Sequence, residues 1–302
     1  MKKILIIKHG SLGDLILSFG AMKTIKHQFP NADLFLVTQT NFKEIFKDLP
    51  YVKHIFEDNR KKNLSSVFSY FKIINKYKID LVVDLQNSGR TQIYHFFTKF
   101  FSNAKVLSAR KFSYYRYQQQ PLGIQHITQN HQDQLKFLNI DKYFISDLSW
   151  MAKSNRFKEK YAVIIPGASK SGEYKKWPIE KYAEVCNYLI KKNFKVFLTG
   201  SILDQSDINS IIQLSPQAKD MTKESKIDVF YDLCLHANLI ISNDTGPAHI
   251  AGLTNKDLIW LANDNKISRS CHPLGNKVHK ILSKNVKDIE TKDVIKKIDQ
   301  II

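Results

Sequence analysis

The stretch 240-IISNDTGPAHIAG-252 decides how the chain is read, because an apolar run ends there in a polar turn that leads straight into a small-residue helix. Leu239, Ile240 and Ile241 read as a buried strand. Ser242, Asn243 and Asp244 supply side chains at its carboxyl end, and Thr245 and Gly246 open the helix. A helix start of this kind offers unpaired backbone N–H groups and the positive end of a dipole, which together bind phosphate without a metal. A capped helix after a core strand, with His249 satisfied inside it, accounts for the same residues, so the rest of the chain has to decide.

Working outward, the second half alternates strand and helix. Residues 161–165 predict a strand that leads into PGASKSGEYKKWP, and 179–191 a helix with Tyr182, Val185 and Leu189 inward. A strand follows at 195–199, helical patterns at 204–214 and 228–236, a strand at 257–261 and a closing helix at 286–302. The first half repeats the pattern. Residues 4–7 predict a buried strand, followed by the turn KHGSLGD and an amphipathic helix with Leu15, Ile16, Phe19, Met22 and Ile25 on one stripe, ended by Pro30. Next come a strand at 34–37, a short helix at 42–46, an apolar run at 52–56, a helix at 64–77 and a strand at 79–85 that ends in Gln86, Asn87, Ser88, Gly89 and Arg90. Residues 108–123 read as a long loop, 126–138 as a helix and 141–156 as a polar linker.

Such alternation predicts parallel sheets covered on both faces, with ligands at the carboxyl ends of the strands. The fold class expected is α/β, two Rossmann-like halves with parallel sheets meeting across a central cleft. The domains read as 1–155, 156–285 and a C-terminal helix, 286–302, packing back toward the N-terminal domain. A chain of 302 residues is long enough for two domains of ordinary size.

Lys and Arg outnumber Asp and Glu by 46 to 28, a net charge of +18 that favours anionic partners. Nucleic acid, an anionic membrane face and phosphorylated small molecules all fit, as does a solvated lysine-rich surface. No recognised nucleic-acid-binding module supports the first. Lys105, Arg110, Lys111 and Arg116, in or beside the tyrosine-rich segment 108–123, suit phosphates or lipid headgroups, or simply a solvated loop. Cys186, Cys234 and Cys271 lie far apart without metal-ligand spacing, which predicts a reduced, cytosolic chain. The apolar run at 4–7 is too brief for a signal peptide, and no stretch approaches the roughly 18 apolar residues of a membrane span, so membrane contact is expected to be peripheral.

The turn from Gly10 to Asp14 lacks the spacing of a dinucleotide fingerprint or a P-loop, which argues against NAD or ATP bound in those ways. Asp14 sits where a carboxylate either caps a helix or serves as a general base, and both roles stay open. Lys175, Lys176, Trp177 and Pro178 suit a loop resting on a diphosphate or a base, or a solvated loop. Ala168 and Ser169 follow a strand and are placed to donate hydrogen bonds to phosphate. With no HExxH, DxD pair or cysteine cluster, no metal site is predicted; lysines and N–H groups are expected to face the anion.

Three stretches in order, KHGSLGDLIL, IIPGASKSGEYKKWP and IISNDTGPAHIAG, together resemble the heptosyltransferase family, glycosyltransferase family 9. VVDLQNSGR and QHITQN resemble further family segments, while 57–78, 108–125 and 141–158 match weakly. The resemblance implies a GT-B fold, an acceptor in the N-terminal domain and ADP-heptose in the C-terminal one. It makes Asp14 the base, Lys175 a diphosphate contact, Asp244 a partner of donor-sugar hydroxyls, and Thr245, Gly246 and His249 part of the diphosphate site. Ala168 and Ser169 stand where some members carry hydroxyl residues. Ser11, Gly13, Gln86 and Arg90 are assigned to the acceptor and Lys8 to charge stabilisation. The reaction implied is inverting and metal-independent, with ADP-heptose as donor, no cofactor, and a lipid-linked or core-oligosaccharide acceptor of lipopolysaccharide. A cytoplasmic monomer held peripherally at the anionic inner face of the cytoplasmic membrane is expected, with no nucleic-acid partner. Transfer of another nucleotide-activated sugar to a surface glycan, and nucleotide or glycan binding without turnover, are the alternatives.

Overall fold

A computed structural model describes residues 2–58, 60, 65–153, 159–224 and 226–302. The chain divides into two compact units, Met1–Trp150 and Met151–Ile302. The boundary expected at 155/156 lies outside the described residues, as do the end of the expected linker and Leu64, the first residue of the expected helix 64–77.

In the first unit the elements run β1 (Lys3–Ile7), α1 (Leu12–Gln28), β2 (Asp33–Thr38), α2 (Thr40–Ile45), β3 (His54–Glu57), α3 (Ser65–Tyr77), β4 (Leu81–Asp84), α4 (Gly89–Phe101), β5 (Lys105–Ser108), β6 (Tyr115–Arg116) and α5 (Ile127–Leu135). The strands form one parallel sheet in the order β3-β2-β1-β4-β5-β6. Ile4, Leu5, Ile6 and Ile7 are fully buried, as a strand covered on both faces requires.

The second unit runs β7 (Tyr161–Ile165), α6 (Ile179–Lys191), β8 (Lys195–Leu198), α7 (Gln205–Leu214), β9 (Lys219–Asp220), α8 (Ile227–His236), β10 (Leu239–Asn243), α9 (Gly246–Gly252), β11 (Leu258–Asn263), α10 (Lys266–Ser270), β12 (Val278–Ser283) and α11 (Thr291–Ile301). Its parallel sheet, β12-β11-β10-β7-β8-β9, repeats the first unit's strand order in its own sequence. Both units are Rossmann-like α/β sheets.

Two expectations are corrected. Residues 141–150 are no linker: Ser146 Oγ donates to Ile16 O at 2.7 Å and accepts from Gly20 N at 3.0 Å, Phe144 N donates to Thr24 Oγ1, and Lys23 pairs with Asp147. This strap covers the second side of α1 and leaves that helix buried well beyond the expected single stripe. Gly20 permits the approach, since a Cβ there would lie 2.5 Å from Phe144 O. Gly20→Ala is therefore expected to destabilise the protein by about 1–3 kcal/mol, read as a lower urea midpoint at unchanged slope. The supposed loop 108–123 contains β6, too short to carry a periodicity, and its Tyr117 is buried. Of the closing segment, Val294 and Ile298 are buried in the core of the second unit.

Candidate active site

In each sheet the strand order reverses once, between β1 and β4 and between β7 and β10, and ligands of open α/β sheets bind outside the carboxyl ends of the strands at such a switch point. The residues assigned to base, donor and acceptor lie in the turns and helix starts that follow these four strands, with His249 further inside α9, whereas Lys105, Arg110, Lys111 and Arg116 lie in or between β5 and β6.

At the first reversal, Asp14 is in the opening turn of α1. Its Oδ2 accepts from Ser11 N at 3.0 Å and Ser11 Oγ at 3.1 Å, and the carboxylate remains half-exposed. Capping therefore does not consume the group, because one oxygen takes both bonds. Gly10 has φ +115°, and a Cβ there would lie 2.3 Å from the Phe42 ring, so only glycine fits the turn. Gln86 Oε1 accepts from His9 N at 3.0 Å, tying the end of β4 to the end of β1. Lys8 is buried and its Nζ donates to Leu85 O at 3.3 Å. Arg90 donates to Arg60 O and Tyr94 Oη, Ser11 is exposed and Gly13 is buried.

Sequence reasoning passed over the group that braces this turn. His9 Nε2 lies 2.7 Å from Asp58 Oδ2, which also accepts from Tyr94 Oη at 2.5 Å, while Arg60 N donates to Asp58 Oδ1. Burial pushes the Asp58 carboxyl up, but the bonds from His9, Tyr94 and Arg60 outweigh it and hold the group well below its ordinary value. A depressed carboxyl stabilises the fold above the ordinary carboxylate range, and that stability is lost as pH falls below it. The urea midpoint of Asp58→Asn is accordingly expected to lie below wild type at about pH 6, with the gap beginning to narrow, but not closing, as pH falls below the ordinary carboxylate range to about pH 3. No local pattern joins His9 to a residue on the far side of β2 and β3; only the register of β1, β2 and β3 does.

At the second reversal, Lys175 Nζ donates to Asp244 Oδ2 at 2.7 Å. Burial works against the ammonium, but Asp244 more than compensates and keeps Lys175 above its ordinary value, hence charged. Asn243, read as a side chain facing a ligand, is the last residue of β10 and fully buried. Its Oδ1 accepts from Trp177 N and Tyr182 Oη, and its Nδ2 donates to Pro166 O. It clamps both ends of the loop that carries Ala168, Ser169 and Lys175. Asn243→Ala would leave several buried polar groups unpaired, so a loss of at least about 3 kcal/mol in urea denaturation is expected.

Trp177 cannot stack on a base. It is buried, with Nε1 donating to Ile289 O, and Lys176 is taken up by Glu173 and Asp207. Thr245 is the N-cap of α9, which is only seven residues long and has Pro247 in its first turn, so fewer backbone N–H groups are on offer than a full helix start provides. Ala168 is half-buried, Ser169 exposed and His249 buried. Asp204, which sequence reading used only to start a helix, follows β8. Its Oδ2 accepts from Ser201 N and Oγ, while its buried Oδ1 has no hydrogen-bond partner among the described residues.

The family model for glycosyltransferase family 9 (heptosyltransferase) matches residues 67–298. The chain belongs to glycosyltransferase family 9, the heptosyltransferases, and is a glycosyltransferase. This family 9 chain is 23% identical over 293 residues to lipooligosaccharide heptosyltransferase 2 of Haemophilus influenzae, an alignment covering 85% of it and 82% of that protein. Among solved structures it resembles E. coli heptosyltransferase WaaC with ADP, at TM-score 0.81 and 15% identity over 99% of this chain and 100% of that one. It also resembles E. coli ADP-heptose LPS heptosyltransferase II, at TM-score 0.76 and 19% identity over 100% and 98%. At these identities the likeness speaks for the fold, two Rossmann-like units of the GT-B class.

Within this heptosyltransferase-family chain, no three His, Cys, Asp or Glu side chains among the described residues are grouped to hold a metal ion. Among the same residues no helix is long and apolar enough to cross a membrane.

Proposed function

We propose that the protein transfers heptose from ADP-heptose to an inner-core sugar of lipopolysaccharide by a single inverting, metal-independent displacement. The observation that carries this reading is the pairing of chemistries at the two strand-order reversals, a half-exposed carboxylate on the first and a charged lysine held by an aspartate on the second. Asp14 takes the proton of an acceptor hydroxyl as its oxygen bonds to the anomeric carbon. The bond from that carbon to the ADP oxygen breaks on the opposite face, and the electron pair leaves with the diphosphate. Lys175, with the N–H groups of Thr245 and Gly246, meets the departing charge, and Lys8 adds to the positive field. Ser169 and the backbone at Ala168 line the diphosphate, and His249 shapes the helix behind it. Ser11, Gly13, Gln86 and Arg90 face the acceptor.

A buried carboxylate after the second strand of a Rossmann-like sheet suits a ribose hydroxyl, which gives Asp204 that role. Adenine as the base is supported by the family relatives and is tested by titrating ADP, UDP and GDP; UDP binding markedly tighter than ADP overturns the heptose donor. Turnover with purified ADP-heptose and a core-sugar acceptor is expected to survive EDTA, and its abolition with rescue by a divalent ion would refute metal independence. The net charge of +18 supports peripheral attachment of a cytoplasmic monomer to the anionic inner face of the cytoplasmic membrane.

A further inference from the structure

We propose that the outer face of α4, continued by Phe112 and Tyr114, is the surface that seats this protein on an anionic phospholipid bilayer, an inference that rests on the peripheral-membrane reading above. The helix is inside out for a water-facing element. It buries Thr91, Tyr94, His95 and Thr98, and exposes Ile93, Phe96, Phe100 and Phe101. A surface helix normally turns its apolar stripe to the core and its polar residues to solvent. Phe100 and Phe101 are each more than half exposed, at 57% and 58%.

The apolar residues form one patch. Phe96 lies 4.9 Å from Phe100 and 5.3 Å from Phe112, ring centre to ring centre, and Phe101 lies 6.3 Å from Phe71 of α3. A contiguous exposed patch of this kind marks an interaction surface, and its charge identifies the partner. Residues 85–132 contain six Lys and Arg (Arg90, Lys99, Lys105, Arg110, Lys111 and Arg116) and no Asp or Glu. Lys99 Nζ sits 5.8 Å from the Phe100 ring centre and Lys105 Nζ 4.5 Å from that of Tyr114, so cations lie directly against the aromatic rings. Phenylalanines that enter the acyl boundary, a tyrosine at the polar interface and lysines that reach anionic headgroups are the parts of an interfacial anchor.

Just past Phe101, a cavity of about 750 Å³ is lined by Lys2, Lys78 and Lys105 together with Tyr115. Its one carboxylate, Asp80, is already taken up by the backbone N–H groups of Lys2 and Lys3, so the cavity suits a phosphodiester headgroup. Orientation follows from the helix itself. α4 starts beside Gln86 and Arg90 at the carboxyl end of β4 and runs 13 residues, about 20 Å, to Phe101. The acceptor side therefore lies toward the opposite end of α4 from Phe100 and Phe101, about one helix length away along the axis.

Co-sedimentation of the full chain with vesicles of phosphatidylethanolamine and phosphatidylglycerol, and with phosphatidylcholine alone, tests this. Wild type is expected to sediment with the anionic vesicles, less so as salt is raised, and hardly with phosphatidylcholine. The triple variant Phe96→Ser, Phe100→Ser, Phe101→Ser should lose at least about tenfold in partitioning, as should Lys99→Glu combined with Lys111→Glu. Turnover of the phenylalanine variant on a water-soluble acceptor fragment should stay at the wild-type level, which shows that it folds. If wild type sediments and the phenylalanine variant sediments equally well, the surface is wrong and peripheral attachment stands. If wild type ignores anionic vesicles, both fall. A wild-type dimer in sedimentation velocity that the same variant dissolves, without vesicle binding, would make the patch an interface between copies and overturn the proposal.

Discussion

Asp14→Asn is expected to lower turnover by at least about a hundredfold while ADP affinity stays within about threefold of wild type. The substitution is selective because of how Asp14 is held. Its Oδ2 takes both bonds from Ser11, and an asparagine carbonyl oxygen can accept the same two, so the cap at the start of α1 survives. Under the proposed mechanism, what is lost is the ability to accept a proton from the attacking hydroxyl. Steady-state kinetics with ADP-heptose, calorimetric titration with ADP and a thermal unfolding midpoint separate the three effects. Turnover within about threefold of wild type would remove Asp14 from the role of base.

Lys175→Met is expected to weaken ADP binding at least about tenfold and to lower kcat/KM by about 10²- to 10³-fold. Methionine keeps most of the stem and removes the charge. The ammonium rests on Asp244 at 2.7 Å, so under the proposed function a diphosphate displaces or shares that contact. Asp244→Asn is the informative companion. It frees Lys175 for phosphate, so ADP should bind as well as or better than to wild type, while kcat/KM with the complete donor falls through lost contacts to the sugar. ADP affinity within about twofold of wild type in Lys175→Met would reduce the pair to a structural tie.

Residues 4–7 and 239–241 were legible as strands because a strand covered on both faces must be apolar throughout, and that leaves a continuous run in the sequence. The turns after them were legible because glycine, small polar residues and a helix start occur in a fixed order. α4 escaped notice for the opposite reason: its phenylalanines face outward and its threonines, tyrosine and histidine inward, which defeats any inference from the polarity pattern. β12 was missed because its residues are half-exposed or exposed and form no apolar run. The strap 141–150 looked like a linker because it joins α1 through backbone groups and a serine hydroxyl, contacts that leave no hydrophobic period.

The same division runs through the site. By itself the sequence determined two α/β units, the placement of polar turns after β1, β4, β7 and β10, and, through KHGSLGD, IIPGASKSGEYKKWP and IISNDTGPAHIAG, the resemblance to family 9. Each of these depends on neighbours in the chain. Only the tertiary structure decided that Asn243 is a clamp, that Trp177 is buried rather than offered to a base, that Lys175 rests on Asp244 and that Asp58 braces His9. Those contacts join residues 49 to 112 positions apart. They exist only once strands distant in sequence lie side by side in register, and spacing along the chain carries no trace of which polar groups will meet there.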